Sequence, residues 1–197
     1  MRVEFVRSND RIGIPYLAVD RPDGNRNHGY IDLKRNPGRV EEIPELEDVP
    51  EFKGLVRELN HPRSIVRSLS VEKALGPNAD ALFNRKLTSF VRICFEILPW
   101  NFDDENYRRL FDMFKDGTER IPNTPELLII EFEVDPASFQ DHNATGWALT
   151  IWTNGFGRTD QEARENWGTG LSILQDFFAH QRKTFELELD KGQPTIS

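Results

Sequence analysis

The sequence predicts an α+β fold whose C-terminal half, residues 86–192, is a βαββαβ ferredoxin-like sandwich with an antiparallel sheet. Three observations carry that expectation. Hydrophobic alternation of period two recurs in four segments after residue 86. Two segments between them repeat at helical spacing, and they fall at the places that give the order β-α-β-β-α-β. The apolar sets of all six can then share one core.

The first strand runs from Thr88 to Leu98, with Val91, Ile93, Phe95 and Ile97 on one face and Pro99 as its stop. A helix follows at 103–116. Asp103, Asp104 and Glu105 stand at its positive end, where the macrodipole favours carboxylates. Tyr107, Leu110, Phe111 and Phe114 form its stripe, and Gly117 reads as the C′ residue. Glu126 to Asp135 is a second strand, with Leu128, Ile130, Phe132 and Val134 inward. A turn-rich stretch, Pro136 to Thr145, leads to a third, where Trp147, Leu149 and Ile151 share a face.

The second helix opens with Thr159-Asp160-Gln161-Glu162. In this capping box threonine and glutamate each satisfy an orphan backbone N–H. Ala163, Trp167, Gly170, Leu171, Leu174, Phe177 and Phe178 make its apolar stripe, and His180, Arg182 and Lys183 crowd its negative end. Thr184 to Asp190 alternates as a closing strand with Phe185, Leu187 and Leu189 inward. With both helices on one face, the other face would carry Arg92, Glu96, Glu131, Glu133, Thr150, Trp152, Glu186 and Glu188.

Residues 1–85 read as a β-rich segment with one or two short helices, and residues 193–197 as a tail. Val3 to Arg7, Ile12 to Asp20 and Gly29 to Lys34 are strand-like. Pro15 suggests an edge or bulge, and Arg21 to Asn25 a turn. Residues 36–51 read as a solvated loop, punctuated by Pro37, Gly38, Pro44 and Pro50. This loop carries Glu41, Glu42, Glu45, Glu47, Asp48 and Glu51 with no base after Glu41. Pro50 to Asn60 has the helical stripe Phe52, Leu55, Val56 and Leu59. Ser64 to Ser70 fits strand or helix, and Ser70 to Leu75 a short helix ending at Gly76-Pro77. The N-terminal strands either extend the sheet or cover part of its second face.

Composition narrows the function. The net charge is −8 over 197 residues, and residues 1–85 are balanced at 14 basic and 14 acidic side chains. All the excess negative charge therefore lies in the C-terminal half. Such a half repels phosphate backbones, which argues against DNA or RNA, and attracts a basic protein. The plainer reading is that acidity only aids solubility. One cysteine, Cys94, rules out an internal disulfide and a cysteine zinc site, and suits a reducing cytoplasm. The first residues lack the apolar core of a secretion signal, and no run approaches the roughly 18 apolar residues of a membrane helix.

Motifs of chemistry are few. His28, His61, His142 and His180 are scattered without ligand spacing, so no metal or cofactor is expected. Gly155-Phe156-Gly157-Arg158-Thr159 leads from strand into helix. Free N–H groups at such a junction can hold an anion, with Gly155, Gly157, Arg158 and Thr159 as candidates, although a capped connection accounts for them equally. Thr145 to Trp152 loosely resembles the glycine-and-aromatic strand of RNA-recognition motifs, but Thr145 stands where a basic residue belongs. Gly157 to Asn166 resembles the G-x-T-x-x-E-A-x-x-N pattern of HicB-type antitoxins over these ten residues alone, most of it the capping box.

The expectation is a non-enzymatic interaction module, of inhibitor, immunity or adaptor type, that binds a basic partner. Its contact residues would be Glu131, Glu133, Trp152, Glu186 and Glu188 on the sheet and Glu41, Glu42 and Glu45 on the loop. Two alternatives stand beside it. One is a small-ligand, nucleotide or metal-dependent enzyme using the open face or the 155–159 loop. The other is a structural subunit that docks the open face on another chain.

Overall fold

The computed structural model describes residues 1–15, 18–20, 26–27, 29–77 and 83–190. The strands are β1 (Arg2–Arg7), β2 (Ile12–Ile14), β3 (Val19–Asp20), β4 (Arg26–Asn27), β5 (Val66–Pro77), β6 (Arg85–Phe95), β7 (Leu128–Phe139) and β8 (Ala144–Gly157). The helices are α1 (Pro50–Leu59), α2 (Glu105–Thr118) and α3 (Asp160–Asp190). Six strands form one sheet in the order β1-β7-β8-β6-β5, with β2 continuing the line of β1 along β7. β5, β6, β8 and β7 pair antiparallel, while β1 and β2 run parallel to β7. The sheet is thus mixed, not antiparallel throughout, and it draws strands from both sides of residue 85.

The expected closing strand, Thr184 to Asp190, is the last part of α3. No glycine or proline interrupts the chain between Leu171 and Asp190, and Glu, Leu and Lys are good helix formers. Phe185 falls seven residues after Phe178, on the same helical face, and its ring meets Trp100 with centroids 5.9 Å apart. The place beside β6 is taken by β5, with Val66 opposite Phe95 and Val71 opposite Val91. Ser70 to Leu75 is therefore strand, not helix. Its register slips between Ser68 and Ser70, a bulge that breaks the two-residue period and hid the strand in the sequence.

Smaller departures have similar local causes. β7 continues through Pro136 to Phe139, where a turn was expected. The proline is tolerated because its neighbour is missing: Arg7 of β1 pairs with Val134, and pairing resumes only with Ile12 of β2 opposite Ala137. α2 runs through Gly117 to Thr118 and ends on Glu119 at φ −61, without a left-handed glycine. β6 stops at Phe95, which leaves Ile97 outside the core face. The acidic stretch 36–51 coils into two 3-10 turns, Pro37–Glu42 and Pro44–Leu46, that bury Val40 and Leu46, with Val49 buried just beyond. It packs on α1 instead of hanging free in solvent.

All three helices cover one face. Phe52 and Leu55 of α1, Leu110 and Phe114 of α2, and Trp167 and Leu174 of α3 meet Ile93, Ile130, Phe132 and Ile151 of the sheet. Burial of each such side chain contributes about 2 kcal/mol. Glu58 of α1 accepts from Arg182 Nε of α3 at 2.7 Å, tying the two helices together. Trp167 Nε1 donates to Ser89 Oγ at 2.8 Å, so the buried indole is satisfied. Beyond β6, buried Asn101 accepts from Phe95 N at 2.8 Å and donates to Phe95 O at 3.0 Å.

Among the described residues the second face is covered at one end. There Ile14, Leu69, Cys94, Ala137, Phe139 and Ala148 form a separate apolar cluster, joined by Tyr30 and Leu98. The N-terminal segment therefore does both things the sequence left open: it lengthens the sheet and roofs part of its second face. Among the described residues no helix is long and apolar enough to cross a membrane.

Candidate interaction surface on the sheet

Strand alternation and pairing register together decide what the uncovered part of the second face presents. Glu4 of β1 lies opposite Glu131 of β7, which lies opposite Trp152 of β8. Trp152 lies opposite Phe90 of β6, and Phe90 opposite Glu72 of β5. One transverse row across five strands thus reads carboxylate, carboxylate, indole, phenyl, carboxylate. The next row contains Glu133, Thr150, Arg92 and Ser70.

The aromatic centre is held in place. The Phe90 and Trp152 rings meet edge to face, with centroids 4.9 Å apart. Trp152 Nε1 donates to Glu133 Oε2 at 2.7 Å, which fixes both side chains. The Arg92 guanidinium lies 5.6 Å from the Phe90 ring centre. Below it, Arg92 Nε donates to Thr150 Oγ1 at 2.7 Å, and the Thr150 hydroxyl donates to Asp135. Asp135 is 2% exposed and lies 3.4 Å from Arg92 Nε. Burial pushes its carboxyl above the usual range, against the pull of Thr150 and Arg92.

Glu131 is the electrostatic focus of the row. Partial burial raises its carboxyl above the ordinary value, and the like charges of Glu133 and Glu4 raise it further. Lys86 and Arg2 pull the other way but do not cancel the effect. Within the row Glu4 is already paired with Arg2, while Glu131 and Glu133 stand side by side as half-buried like charges.

Of the contact residues expected from sequence, the fold brings Glu131, Glu133 and Trp152 together. Glu41 accepts from Lys53 Nζ at 2.8 Å and from Arg57, and Lys53 holds its carboxyl below the usual value. Glu42 accepts from Arg39 at 2.9 Å, and Glu45 is half-buried in its 3-10 turn. These three stand with α1, away from the aromatic row. Glu186 and Glu188 belong to helix, not to the sheet face where they were expected.

At the 155–159 junction the glycines answer to packing. A Cβ on Gly155 would come 2.6 Å from Trp167 Cβ, and one on Gly157 would come 2.8 Å from Glu162 Cβ. Their absence lets α3 lie directly on β8. Thr159 Oγ1 accepts from Glu162 N at 3.1 Å, and Glu162 Oε2 accepts from Arg158 N at 2.7 Å. A carboxylate of the chain thus takes an N–H that an anion would need. The stretch that resembles HicB-type antitoxins is this capped junction.

Sequence reasoning missed Glu4 and Glu72, whose place in the row depends on the registers of β1 and β5. Asp135 was also missed; its only signal was an acid at the end of an alternating strand. Among the described residues no group of three or more His, Cys, Asp or Glu is placed to hold a metal ion. His28 lies outside the described residues. Compared with known proteins, the chain matches no family model, no curated protein and no solved structure.

Proposed function

We propose that the chain is a protein-binding module of inhibitor, immunity or adaptor type, which docks a basic protein partner on the row Glu4–Glu131–Trp152–Phe90–Glu72. The observation that carries this reading is an anchored aromatic pair with carboxylates at both ends, in register across five strands. A lysine or arginine side chain laid on that row gains a cation–π contact, worth about 0.5 to 2 kcal/mol, and carboxylate partners on either side. It also offsets the like-charge part of the rise at Glu131, the larger part of which comes from burial. The net charge of −8 speeds encounter with a cationic surface and opposes approach of a phosphate backbone. We read the scaffold as a rearranged ferredoxin-like sandwich, in which β5 and not a C-terminal strand closes the sheet beside β6. Cys94 as sole cysteine suits action in a reducing cytoplasm.

The test is quantitative capture from the native host, with wild type, the Glu131→Lys/Glu133→Lys double variant and Trp152→Ala compared at low and moderate salt. A protein retained stoichiometrically by wild type, shed as salt rises and lost by both variants supports the proposal. A partner retained equally by all three contradicts it.

A further inference from the structure

We infer that the cavity under the N-terminal roof of the sheet is a second site, built to hold a small uncharged organic molecule with an apolar body and one hydrogen-bond acceptor. The cavity is about 110 Å³ and partly open to solvent. It forms where the end of β2, the stretch near Tyr30, β5, the end of β6 and the β7–β8 hairpin converge. It is separate from the aromatic row and stands independently of the docking proposed there.

Size and walls give the body of the ligand. Ile14, Leu69, Leu98 and Phe139 line the cavity with hydrocarbon. A dry cavity of about 150 Å³ holds benzene, so this one encloses on the order of five heavy atoms, with the remainder projecting through the open side. Burial pushes the Cys94 thiol up to about 12, so at neutral pH it stays protonated and acts as one more small apolar wall element.

Charge gives the ligand's neutrality. Arg67 reaches the cavity, but Glu96 already holds it in a two-point clasp: Nε donates to Oε2 at 2.7 Å, and Nη2 donates to Oε1. Lys34 Nζ stands 3.6 Å from the same carboxylate, and Asp32 lies 4.0 Å from Arg67. Two cations and two anions therefore compensate one another. Asp141 and His142 stand at the solvent-exposed hairpin rim. A ligand charge placed inside, beside Arg67 and Glu96, would have to break into that satisfied network.

Tyr30 gives the polar contact. Its hydroxyl oxygen accepts from Arg67 Nη1 at 3.3 Å, while its own proton has no acceptor among the described residues. Burial raises the phenol, so that proton is retained at neutral pH. A carbonyl or ether oxygen in the cavity would complete the donor.

Cyclopentanone, with about six heavy atoms, is a matched probe, and a ligand of that size binds in the millimolar range. Protein-observed NMR titration of the full chain should give saturable shifts at Tyr30, Leu69 and Phe139. Cyclopentylammonium and cyclopentanecarboxylate should bind at least about tenfold more weakly. Tyr30→Phe should weaken cyclopentanone about fivefold, as loss of one hydrogen bond predicts. Failure of cyclopentanone to saturate these signals would overturn the site. So would equal binding by a charged analogue, or undiminished affinity in Tyr30→Phe. Because the probe series uses the unaltered protein, the site stays testable even if the tyrosine variant proves unstable. Glu131→Lys should leave these shifts in place, which separates this site from the docking row.

Discussion

In the proposed docking, Glu131 couples stability to recognition. Its folded pKa is raised, first by burial and then by Glu133 and Glu4. The sign follows from linkage. The folded state holds the Glu131 proton more tightly, so the stability this group contributes is present below its unfolded value and is lost as pH rises through the folded value. Glu131→Gln should therefore be slightly more stable than wild type at neutral pH, with the difference vanishing in acid. Urea denaturation at pH 4 and pH 7 checks this. The same variant should bind the partner less well, the usual sign of a residue kept for contact at some expense of stability. Alternation alone put Glu131, Glu133 and Trp152 on one face. It could not give Glu4 or Glu72, because register is a long-range property, short β1 does not encode it and the bulge in β5 disguises it.

The elements were legible wherever period and punctuation agreed. α1 and α2 and the middle of each of β6, β7 and β8 follow from stripes such as Tyr107-Leu110-Phe111-Phe114, whose members are all buried. The failures came where local signals were ambiguous. The bulge after Ser68 broke the alternation of β5, and Phe185-Glu186-Leu187-Glu188-Leu189 alternates like a strand although it is helix, with Phe185 seven residues after Phe178. Two expectations belong to this scale. Gly155→Ala should destabilise by about 3 kcal/mol, because the new methyl meets the backbone of α3 at Ala163 and Trp167. Unfolding in urea should give a lower midpoint with an unchanged slope. Glu58→Ala should cost about 2 kcal/mol, since it leaves the Arg182 end of a largely buried ion pair without that partner. A thermal melt reads this as a lower Tm.

At the scale of the whole molecule, the charge division of the chain acquires a place in space. The excess acid of the C-terminal half does not spread evenly. Part of it stands on β7 beside an aromatic pair, and Glu4 and Glu72 from the balanced half complete the row from either side. The acidic stretch 36–51, the most conspicuous charge run in the sequence, is partly spent on Arg39, Lys53 and Arg57 and on packing against α1. A charge run is legible in sequence, but whether its charges are already answered is not, because beyond the local Arg39 the answering cations, Lys53 and Arg57, come from a helix face that only the fold brings near. In the proposed docking the aromatic row receives cationic side chains. The Trp152 indole N–H, bonded to Glu133, is its natural reporter. Titration of ¹⁵N-labelled protein with a lysine- and arginine-rich peptide should shift the Trp152 indole resonance and the amides of Glu131 and Glu133. High salt should abolish the effect. Shifts confined to residues 41–51, or an indole resonance that does not move at saturating peptide, would contradict the account.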